Sequence, residues 1–419
     1  MWCAFHTVAH SSPKPRSDPR SDPRSGFCPG PGPLPAKRLY HLHKENPLLN
    51  APSAAARKAP ARKATAAACG IALALTLAAC SNQDANQSGS ASSAGSAADS
   101  ATASASQADS QAAFPVSITH HFGTTTIDKA PTRVATVGWA NHEVPLALGI
   151  VPVGISKATW GDDDNNGLLP WVEEKLAELG AETPELFDET DGIPFEQVAA
   201  TKPDVILAAY SGLTQEDYDT LSKIAPVVAY PDVAWSTSLE QMIDLNSTAL
   251  GKQEEGAQLV KDLDSQVAAA LDKHPKLKGT KVLFTAFGGT TDASKLGFYP
   301  TVDPRMGFLA DHGFGVPAIV EENSRDAEKF WVEVSAENPE QFEDVELIIA
   351  YSSGKSEDDA KLLADLQKDP LKSKIPAIKN GNVAFIDNGP LGASANPSPL
   401  SIPWSLDKYF AALEAGLQS

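Results

Sequence analysis

The chain has 419 residues, a formal net charge of −19 at pH 7 and four cysteines. An acidic surface of this kind repels nucleic acid and anionic lipid, so we expect neither as a partner. Because acidic residues are scarce in the first 79 positions, the rest of the chain is proportionally more acidic than the whole.

Residues 57–79 have the organisation of a lipoprotein signal peptide. The basic segment RKAPARK precedes an apolar run at 66–79, which is too short to span a bilayer comfortably, since a spanning helix needs about 20 apolar residues. The sequence LAAC at 77–80 resembles the bacterial lipobox, in which the cysteine is acylated and becomes the mature N-terminus. We therefore expect Cys80 to anchor the protein to the cell membrane. The alternatives are an ordinary signal peptide and a buried Ala/Leu helix.

The segments on either side of this signal peptide lack a periodic apolar pattern. Residues 1–56 contain RSDPRSDPRS and PGPGPLP, which predict disorder, and we expect the true translation start to lie near residues 39–49. Residues 80–113 comprise the lipidated cysteine and a Ser/Ala-rich segment that cannot bury a core. We interpret this segment as a flexible tether with an r.m.s. reach of about 30 Å. After removal of the leader Cys80 is the only cysteine, so an internal disulfide is excluded.

From residue 114 onward, apolar strands alternate with helices, and residues 114–236 form the predicted N-terminal lobe. Its predicted strands lie at 132–138, at 151–156, at the end of 195–210 and at 225–230. Its predicted helices lie around 142–148, from Pro170 onward, and at the start of 195–210. Such alternation predicts a parallel sheet that is covered by helices on both faces.

Residues 237–278 interrupt this alternation and predict a helical crossing. We expect Gly251 and Gly256 to interrupt the helix, and an apolar face to be formed by Val260, Leu263, Val267 and Leu271. The alternation resumes over 279–419, the predicted C-terminal lobe. Its predicted strands are 281–287, 316–320, 345–351 and 382–386, with helices around 306–312 and 357–367. The sequence therefore predicts an α/β protein of two lobes with one helical crossing between them.

The two predicted lobes share a weak internal repeat. Glu196 begins a segment that ends in PDVILAAY, and Glu337 begins one that ends in DVELIIAY. Each segment contains a glutamate, a short helix, an acidic residue and an apolar strand closed by tyrosine. The repeat indicates two related halves, although a chance similarity is the alternative.

At this point the chain resembles a known family, the ferric-siderophore and cobalamin substrate-binding proteins of bacterial ABC importers. The resemblance covers about residues 115–415 and depends on the order and spacing of several segments. These are TRVATVGWANHEVPLALGIVPVGI, PFEQVAATKPDVILA, YDTLSKIAPVVAY, DPRMGFLADHGF, FWVEVSAENPEQFEDVELII and LSIPWSLDKYF. The resemblance implies the class III periplasmic-binding-protein fold, in which a long, rather rigid helix bridges two Rossmann-like lobes and the ligand lies in the cleft between them.

The function that this resemblance implies is transport. We expect an extracytoplasmic lipoprotein that captures an iron(III)-siderophore complex as a monomer and delivers it to an ABC permease and its ATPase. It also implies that Glu196 and Glu337 meet arginines on the two permease subunits. Helix capping is the competing interpretation of these glutamates. No cofactor and no enzymatic activity are expected.

A cleft for a ferric siderophore needs flat aromatic surfaces and a few cations. The candidate ligand-binding residues are Trp139, Trp160, Trp235, Tyr299, Trp331, Arg305 and Arg325. For each aromatic the alternative is a place in the core. For Arg305 it is a surface ion pair with Asp303. The excess negative charge of the chain leaves a neutral or cationic chelate open as the ligand.

Other signals favour different functions. The stretch DDDNNGLLPWVE at 162–173 fits a calcium-loop pattern, with Asp162, Asp164, Asn166 and Glu173 as candidate ligands. However, a strand precedes it where an EF-hand has a helix, so we prefer a polar loop that caps the helix beginning at Pro170.

The remaining alternatives are haem or cobalamin capture, a free zinc or manganese site that uses His120, His121 and His142, and a non-transport adhesin. The common catalytic motifs, such as G-x-S-x-G and H-E-x-x-H, are absent from the sequence.

Overall fold

The computed structural model describes residues 114–287, 289–352 and 354–418. The predicted leader, Cys80 and the tether lie outside the described residues. Within the described part of the chain, none of the helices combines the length and the apolar character that a membrane span requires.

The N-terminal lobe begins with an antiparallel hairpin that the sequence did not predict. Strand β1 (Val116–His120) pairs with β2 (Gly123–Ile127), and one face of the hairpin is buried through Ile118, Thr125 and Ile127. The strands are short and rich in threonine, so their apolar alternation is too weak to stand out in the sequence.

A parallel sheet forms the centre of this lobe, as predicted, and it has five strands, of which the sequence analysis did not predict β5. Its strands are β3 (Val134–Thr136), β4 (Gly154–Ser156), β5 (Glu185–Phe187), β6 (Val205–Ala208) and β7 (Val227–Ala229), in the order β5-β4-β3-β6-β7. The helices of this lobe are α1 (Glu143–Ala147), α2 (Pro170–Glu178), α3 (Phe195–Ala200) and α4 (Gln215–Leu221). β3, β6 and β7 are fully buried, which explains their continuous apolar sequences.

The predicted helical crossing consists of two helices, α5 (Leu239–Ala249) and the 20-residue α6 (Gln253–Asp272). Gly251, with φ of 70°, separates them as predicted. The prediction for Gly256 is wrong, because it lies inside α6, where the absence of a side chain lets the helix approach Ser247 of α5. The predicted apolar face of α6 is confirmed by the buried Leu263, Val267 and Leu271.

The C-terminal lobe contains a second parallel sheet in the order β12-β11-β8 and a separate antiparallel pair, β9 with β10. The strands are β8 (Val282–Thr285), β9 (Lys295–Phe298), β10 (Val332–Ser335), β11 (Leu347–Tyr351) and β12 (Val383–Ile386). The helices are α7 (Pro304–Asp311), α8 (Ala318–Ser324), α9 (Ser356–Leu366), α10 (Pro376–Asn380), α11 (Pro390–Ser394) and α12 (Ser401–Ala415).

The strand predicted at 316–320 is wrong. Pro317 is the N-cap residue of α8, and Ile319 and Val320 are buried from this helix. Proline favours the start of a helix because it lacks the N–H donor that would be unpaired there. A short run of apolar residues can be buried from a helix as well as from a strand, so the sequence could not separate the two.

The internal repeat has a structural counterpart in both lobes. β6 pairs with β3 in the first lobe, and β11 pairs with β8 in the second. The acidic residue before each later strand binds the start of the earlier strand: Asp204 accepts the Arg133 N–H at 2.8 Å, and Glu346 accepts the Lys281 N–H at 2.7 Å. The two halves of the chain therefore build their sheets with the same local bond.

The end of the chain forms a second connection between the lobes. Glu143 of α1 is 0% exposed and accepts hydrogen bonds from Trp171 Nε1 at 2.8 Å, from the Leu400 N–H at 3.1 Å and from the Ser398 hydroxyl. Trp404 of α12 packs on Trp171 with ring centroids 5.2 Å apart. The region 279–419, predicted as the C-terminal lobe, therefore also contacts the first lobe.

The close approach of α5 and α6 gives a stability prediction. An alanine at position 256 would place its Cβ atom 2.1 Å from Ser247 Oγ and 2.5 Å from Ser247 Cβ. We expect Gly256→Ala to lower the free energy of unfolding in urea by about 1–3 kcal/mol, because one helix must shift. The double variant Gly256→Ala, Ser247→Gly should recover part of this loss. A single variant as stable as the parent would contradict the close contact.

The buried Glu143 carboxyl gives a pH prediction. Burial raises its pKa from the ordinary value of 4.5 to about 7, although hydrogen bonds from Ser398, Trp171 and Leu400 favour the charged form. Between these pH values the unfolded state loses the proton and the folded state keeps it. The contribution of Glu143 to the free energy of unfolding therefore falls by about 3 kcal/mol as the pH rises through this interval.

The variant Glu143→Gln removes this titration while keeping a hydrogen-bonding side chain. Its stability relative to the parent, measured by chemical denaturation, should increase by about 3 kcal/mol between about pH 4.5 and about pH 7.5. A stability difference that does not change with pH would show that the buried carboxyl does not hold a proton.

Candidate functional site

The two lobes meet at the carboxyl ends of their parallel strands, where α/β sheets of this kind bind ligands. Trp160 follows β4 in the first lobe, and its Nε1 donates to Asn388 Oδ1 of the second lobe at 2.9 Å. The same indole packs edge-on against Tyr351, at the end of β11, with ring centroids 5.4 Å apart. Trp160 therefore marks the region where the two lobes face each other.

Aromatic side chains from both lobes gather in this region, and we call them the cleft aromatics. They are Trp139, Trp160, Tyr210, Trp235, Tyr299, Trp331 and Tyr351. Trp139 lies 6.0 Å from Trp160 on the first lobe, and Tyr299 lies 4.9 Å from Trp331 on the second, between ring centroids. Four of the five predicted aromatics are thus found in these two pairs. The fifth, Trp235, packs edge-on against Tyr210 at 5.6 Å.

The position of Trp139 is fixed by the turn that carries it. Gly138 has φ of 78°, and a Cβ atom there would lie 2.7 Å from the Tyr210 carbonyl oxygen, so only glycine fits. The Trp139 N–H donates to the same carbonyl at 3.2 Å. Glu189, after β5, accepts the Gly138 N–H at 3.0 Å and the Ser156 hydroxyl at 2.5 Å. Burial raises the pKa of Glu189 against the effect of these two bonds.

Trp235 has an unusual backbone. Its φ is 62°, in the left-handed region that non-glycine residues seldom adopt, and such a conformation costs about 1–3 kcal/mol. Its N–H donates to the Ser211 carbonyl at 3.0 Å, and its indole covers Gly212, where a Cβ atom would lie 2.0 Å from Trp235 Nε1. The surrounding structure therefore fixes the indole beside Tyr210.

Arg305 is held by a buried ion pair with Asp303. Its Nε and Nη2 donate to the two carboxylate oxygens at 2.8 and 2.6 Å, and Asp303 is 0% exposed. Although burial opposes it, the Asp303 carboxylate raises the pKa of Arg305 well above its usual range. The predicted alternative of an ion pair with Asp303 is therefore correct in its partner, but the pair is buried and does not lie at the surface. The guanidinium carbon also lies 3.9 Å from the centre of the Tyr299 ring.

The tyrosines around this pair supply neutral hydroxyl groups. Burial is the main cause that raises the pKa of Tyr210, Tyr299 and Tyr351 above the ordinary value, so all three stay protonated at neutral pH. Tyr210 Oη accepts a bond from Asn396 Nδ2 at 3.0 Å, which joins the two lobes below the aromatic surface. The cleft thus combines flat aromatic faces with uncharged hydrogen-bonding groups.

The other predicted site residues lie elsewhere. Arg325 is the C-cap residue of α8 and is exposed, and the structure gives it no place among the cleft aromatics. Glu196 is exposed in the first turn of α3. Glu337 is exposed just before the 3-10 helix Pro339–Phe342.

The candidate calcium loop is largely occupied by its own backbone. Asp162 accepts the N–H groups of Asn165 and Gly167, each at 2.7 Å. Carboxylate oxygens of Asp162, Asp163 and Asp164 lie within 4.8 Å of one another, so the described acidic group includes a residue that the pattern did not name.

The other two proposed calcium ligands, Asn166 and Glu173, do not belong to this acidic group. Asn166 Oδ1 accepts the Leu168 N–H at 2.7 Å, and Glu173 is exposed on α2. The expectation that this loop caps α2 is also wrong in detail, because the N-cap residue is Leu169, which makes no side-chain bond.

Sequence reasoning missed Tyr210, Tyr351, Asp303 and Glu189 as parts of the site. A signal was present for the tyrosines, since each closes one of the two repeated strand segments, PDVILAAY and DVELIIAY. The partner of Arg305 was considered but was placed at the surface. Glu189 lies in an acidic stretch, FDETDG, where the sequence does not distinguish one carboxylate from the next.

Comparison with known proteins agrees with this architecture. Residues 134–390 match the family described as "Periplasmic binding protein". The chain is 48% identical to PiaA of Streptococcus pneumoniae TIGR4, whose crystal structure in complex with ferrichrome aligns with a TM-score of 0.67 and covers 72% of this chain and 98% of that one.

Two curated relatives match most of their own length. The chain is 26% identical over 281 residues to "Probable siderophore-binding lipoprotein YfiY" of Bacillus subtilis (strain 168), over 65% of this chain and 80% of the relative. It is also 26% identical over 284 residues to the Fe(3+) dicitrate-binding periplasmic protein FecB of Escherichia coli (strain K12), over 66% and 83%. The family match spans more than half of the chain, so this chain belongs to the periplasmic binding protein family and has its two-lobed class III fold.

Proposed function

We propose that this chain is the substrate-binding lipoprotein of an ABC importer and that it captures an iron(III)-siderophore complex between its lobes. The observation that carries the proposal is the aromatic surface at the lobe junction, with Trp139 and Trp160 on one side and Tyr299, Trp331 and Arg305 on the other. The relatives support it, because the PiaA structure contains ferrichrome and the name of YfiY refers to siderophore binding.

The cellular setting follows from the same family. Relatives are named as lipoproteins or periplasmic binding proteins, and an extracytoplasmic location fits this chain. A lipid on Cys80 would hold the protein near its permease, and the Ser/Ala-rich segment after it would give the binding domain reach. Family members are substrate-binding transport proteins, and the chemistry of the cleft favours binding over catalysis.

The alternatives receive less support from the described residues. His120 binds the Thr125 hydroxyl at 2.9 Å and His121 binds the Asp232 carbonyl at 2.7 Å, so both have structural partners within the first lobe. A free-metal site built on these histidines would have to break those bonds. Haem, cobalamin and adhesin functions are separated from siderophore capture by the ligand experiment that follows.

The ligand experiment is a fluorescence titration of the purified protein with ferric hydroxamates, ferric catecholates, haem and cobalamin. We expect one ferric chelate to quench tryptophan fluorescence and to bind selectively. Trp139→Ala and Trp160→Ala should each weaken it by about 1–3 kcal/mol, because each removes an aromatic contact surface. Trp404→Ala is the matched control, since Trp404 packs on Trp171 outside the cleft aromatics. Selective binding of haem or cobalamin, or of none of these compounds, would reject the proposal.

Arg305→Ala is less suited to this experiment than the sequence indicated. Removal of the guanidinium leaves the fully buried Asp303 carboxylate without its cation, which typically costs about 3–5 kcal/mol. A loss of ligand affinity in that variant could therefore result from partial unfolding.

For the permease we propose two docking residues, Glu196 and Glu337. Both are exposed, and each precedes the corresponding strand of its lobe, β6 or β11, so the repeat presents one glutamate from each half. A permease with two similar subunits could use such a pair, because an arginine–carboxylate contact provides both strength and register.

The docking proposal is tested by iron uptake in cells that carry Glu196→Ala, Glu337→Ala. We expect slower uptake with unchanged ligand affinity and melting temperature. The control is Glu216→Ala, Glu357→Ala, which removes an exposed glutamate from the first turn of a helix in each lobe. Helix stabilisation predicts that both double variants melt earlier, with uptake little changed. Uptake at the parent rate in the first variant would rule docking out.

A further inference from the structure

A few side chains at the carboxyl ends of the strands set the electrostatic potential of the cleft. This potential determines whether an anionic, neutral or cationic chelate is favoured. On the second lobe Arg305 and Asp303 neutralise each other through two short hydrogen bonds. This buried pair leaves the guanidinium little net charge to offer an anionic ligand. Asp387, after β12, adds an exposed carboxylate whose Oδ1 accepts the N–H groups of Gly389 and Gly392.

On the first lobe the charges of Lys157, Asp188 and Glu189 sum to a net negative charge when both carboxyls are ionised. Lys157 pairs with Asp188 at 3.1 Å, and both side chains are substantially exposed. Glu189 is different, because it is half-buried and its described partners are the Gly138 N–H and the Ser156 hydroxyl. Within the described part of the chain, Glu189 forms no ion pair with lysine or arginine. A half-buried charge without a counterion is screened less by solvent and salt than an exposed, paired one.

The location of Glu189 places this charge beside the aromatic surface of the first lobe. Its carboxylate bonds Gly138, the residue before Trp139, and Ser156, the last residue of β4, whose continuation carries Trp160. The carboxylate thus links the two turns that present the tryptophans. A ligand stacked on Trp139 and Trp160 would lie close to this negative charge.

We propose that Glu189 is the charge-selecting residue of the cleft: it disfavours anionic ferric chelates and so directs binding to neutral or cationic ones, such as ferric tris-hydroxamates. This inference rests on the proposed siderophore function. A ferric tris-hydroxamate has no net charge, because three hydroxamate anions balance Fe³⁺, whereas a ferric tris-catecholate carries three negative charges. Repulsion from Glu189 therefore acts on the second class and spares the first.

The experiment compares these two probes, both hexadentate ferric complexes, by fluorescence titration at about pH 8. Burial raises the pKa of Glu189, so an alkaline pH is chosen to favour its charged form. The parent should bind the tris-hydroxamate at least 100-fold more tightly than the tris-catecholate. Glu189→Gln, which keeps the shape and the hydrogen-bonding capacity of the side chain, should narrow this ratio by about tenfold through tighter binding of the catecholate. Its affinity for the tris-hydroxamate should stay within about twofold of the parent's.

Two matched variants separate charge from structure. Asp188→Asn removes a neighbouring carboxylate that is exposed and paired, so it should leave the ratio unchanged. Ser156→Ala removes one hydrogen bond of Glu189 and keeps its charge, so it should also leave the ratio unchanged. If Glu189 only holds the turns in place, Ser156→Ala and Glu189→Gln should instead weaken both probes together. That result would overturn the inference even if Glu189→Gln folded poorly.

The outcomes also separate this inference from the proposed function. A parent protein that binds the tris-catecholate as tightly as the tris-hydroxamate retains the siderophore function and overturns the role of Glu189. A parent protein that binds neither probe overturns both.

Discussion

The ion pair between Asp303 and Arg305 holds together the second lobe's side of the cleft. Asp303 caps the start of α7 through the Arg305 N–H at 2.9 Å, and it binds the guanidinium of the same residue through both carboxylate oxygens. The guanidinium in turn lies over the Tyr299 ring and approaches the Tyr351 hydroxyl at 3.5 Å. One buried acid therefore fixes a helix start, a cation and two aromatic faces, and it neutralises the cation that the ligand would meet.

In the first lobe a carboxylate also fixes the site, but without a cation as its partner. Glu189 bonds the turns after β3 and β4 and so fixes the position from which Trp139 and Trp160 extend. The lobes are then joined twice, by α5 and α6 and by the final segment that Glu143 holds against α1. Because the contacts of Trp160 with Asn388 and Tyr351 cross between the lobes, the aromatic surface depends on both connections.

Much of the fold could be predicted from sequence, and the exceptions have physical causes. Strands such as β6 and β11 are buried on both faces, so their runs of valine, isoleucine and leucine identify them. β2 and β9 carry threonine, lysine and glycine instead of a continuous apolar run, and β9 pairs with β10, which is distant in the chain. The role of Gly256 could not be predicted either, because it depends on a contact with Ser247 in another helix.

The candidate site likewise has residues that the sequence predicts and residues that it does not. Trp139 and Trp160 could be predicted because they follow strands, and the ends of parallel strands converge. The resemblance to a known family added Arg305, yet the neutralisation of its charge depends on the ion pair with the buried Asp303, and the sequence does not show that burial. Glu189 carries no sequence pattern at all, since its importance comes from contacts with two turns and from its lack of a described counterion.

The most direct test of the account is a crystal structure of the protein with a ferric tris-hydroxamate, with anomalous diffraction recorded at the iron absorption edge. The account predicts a single strong iron peak between the lobes, with the chelate in contact with Trp139 and Trp160 on one side and with Tyr299 and Trp331 on the other. An iron peak at another surface, or a loaded protein with these four side chains free of ligand, would contradict it.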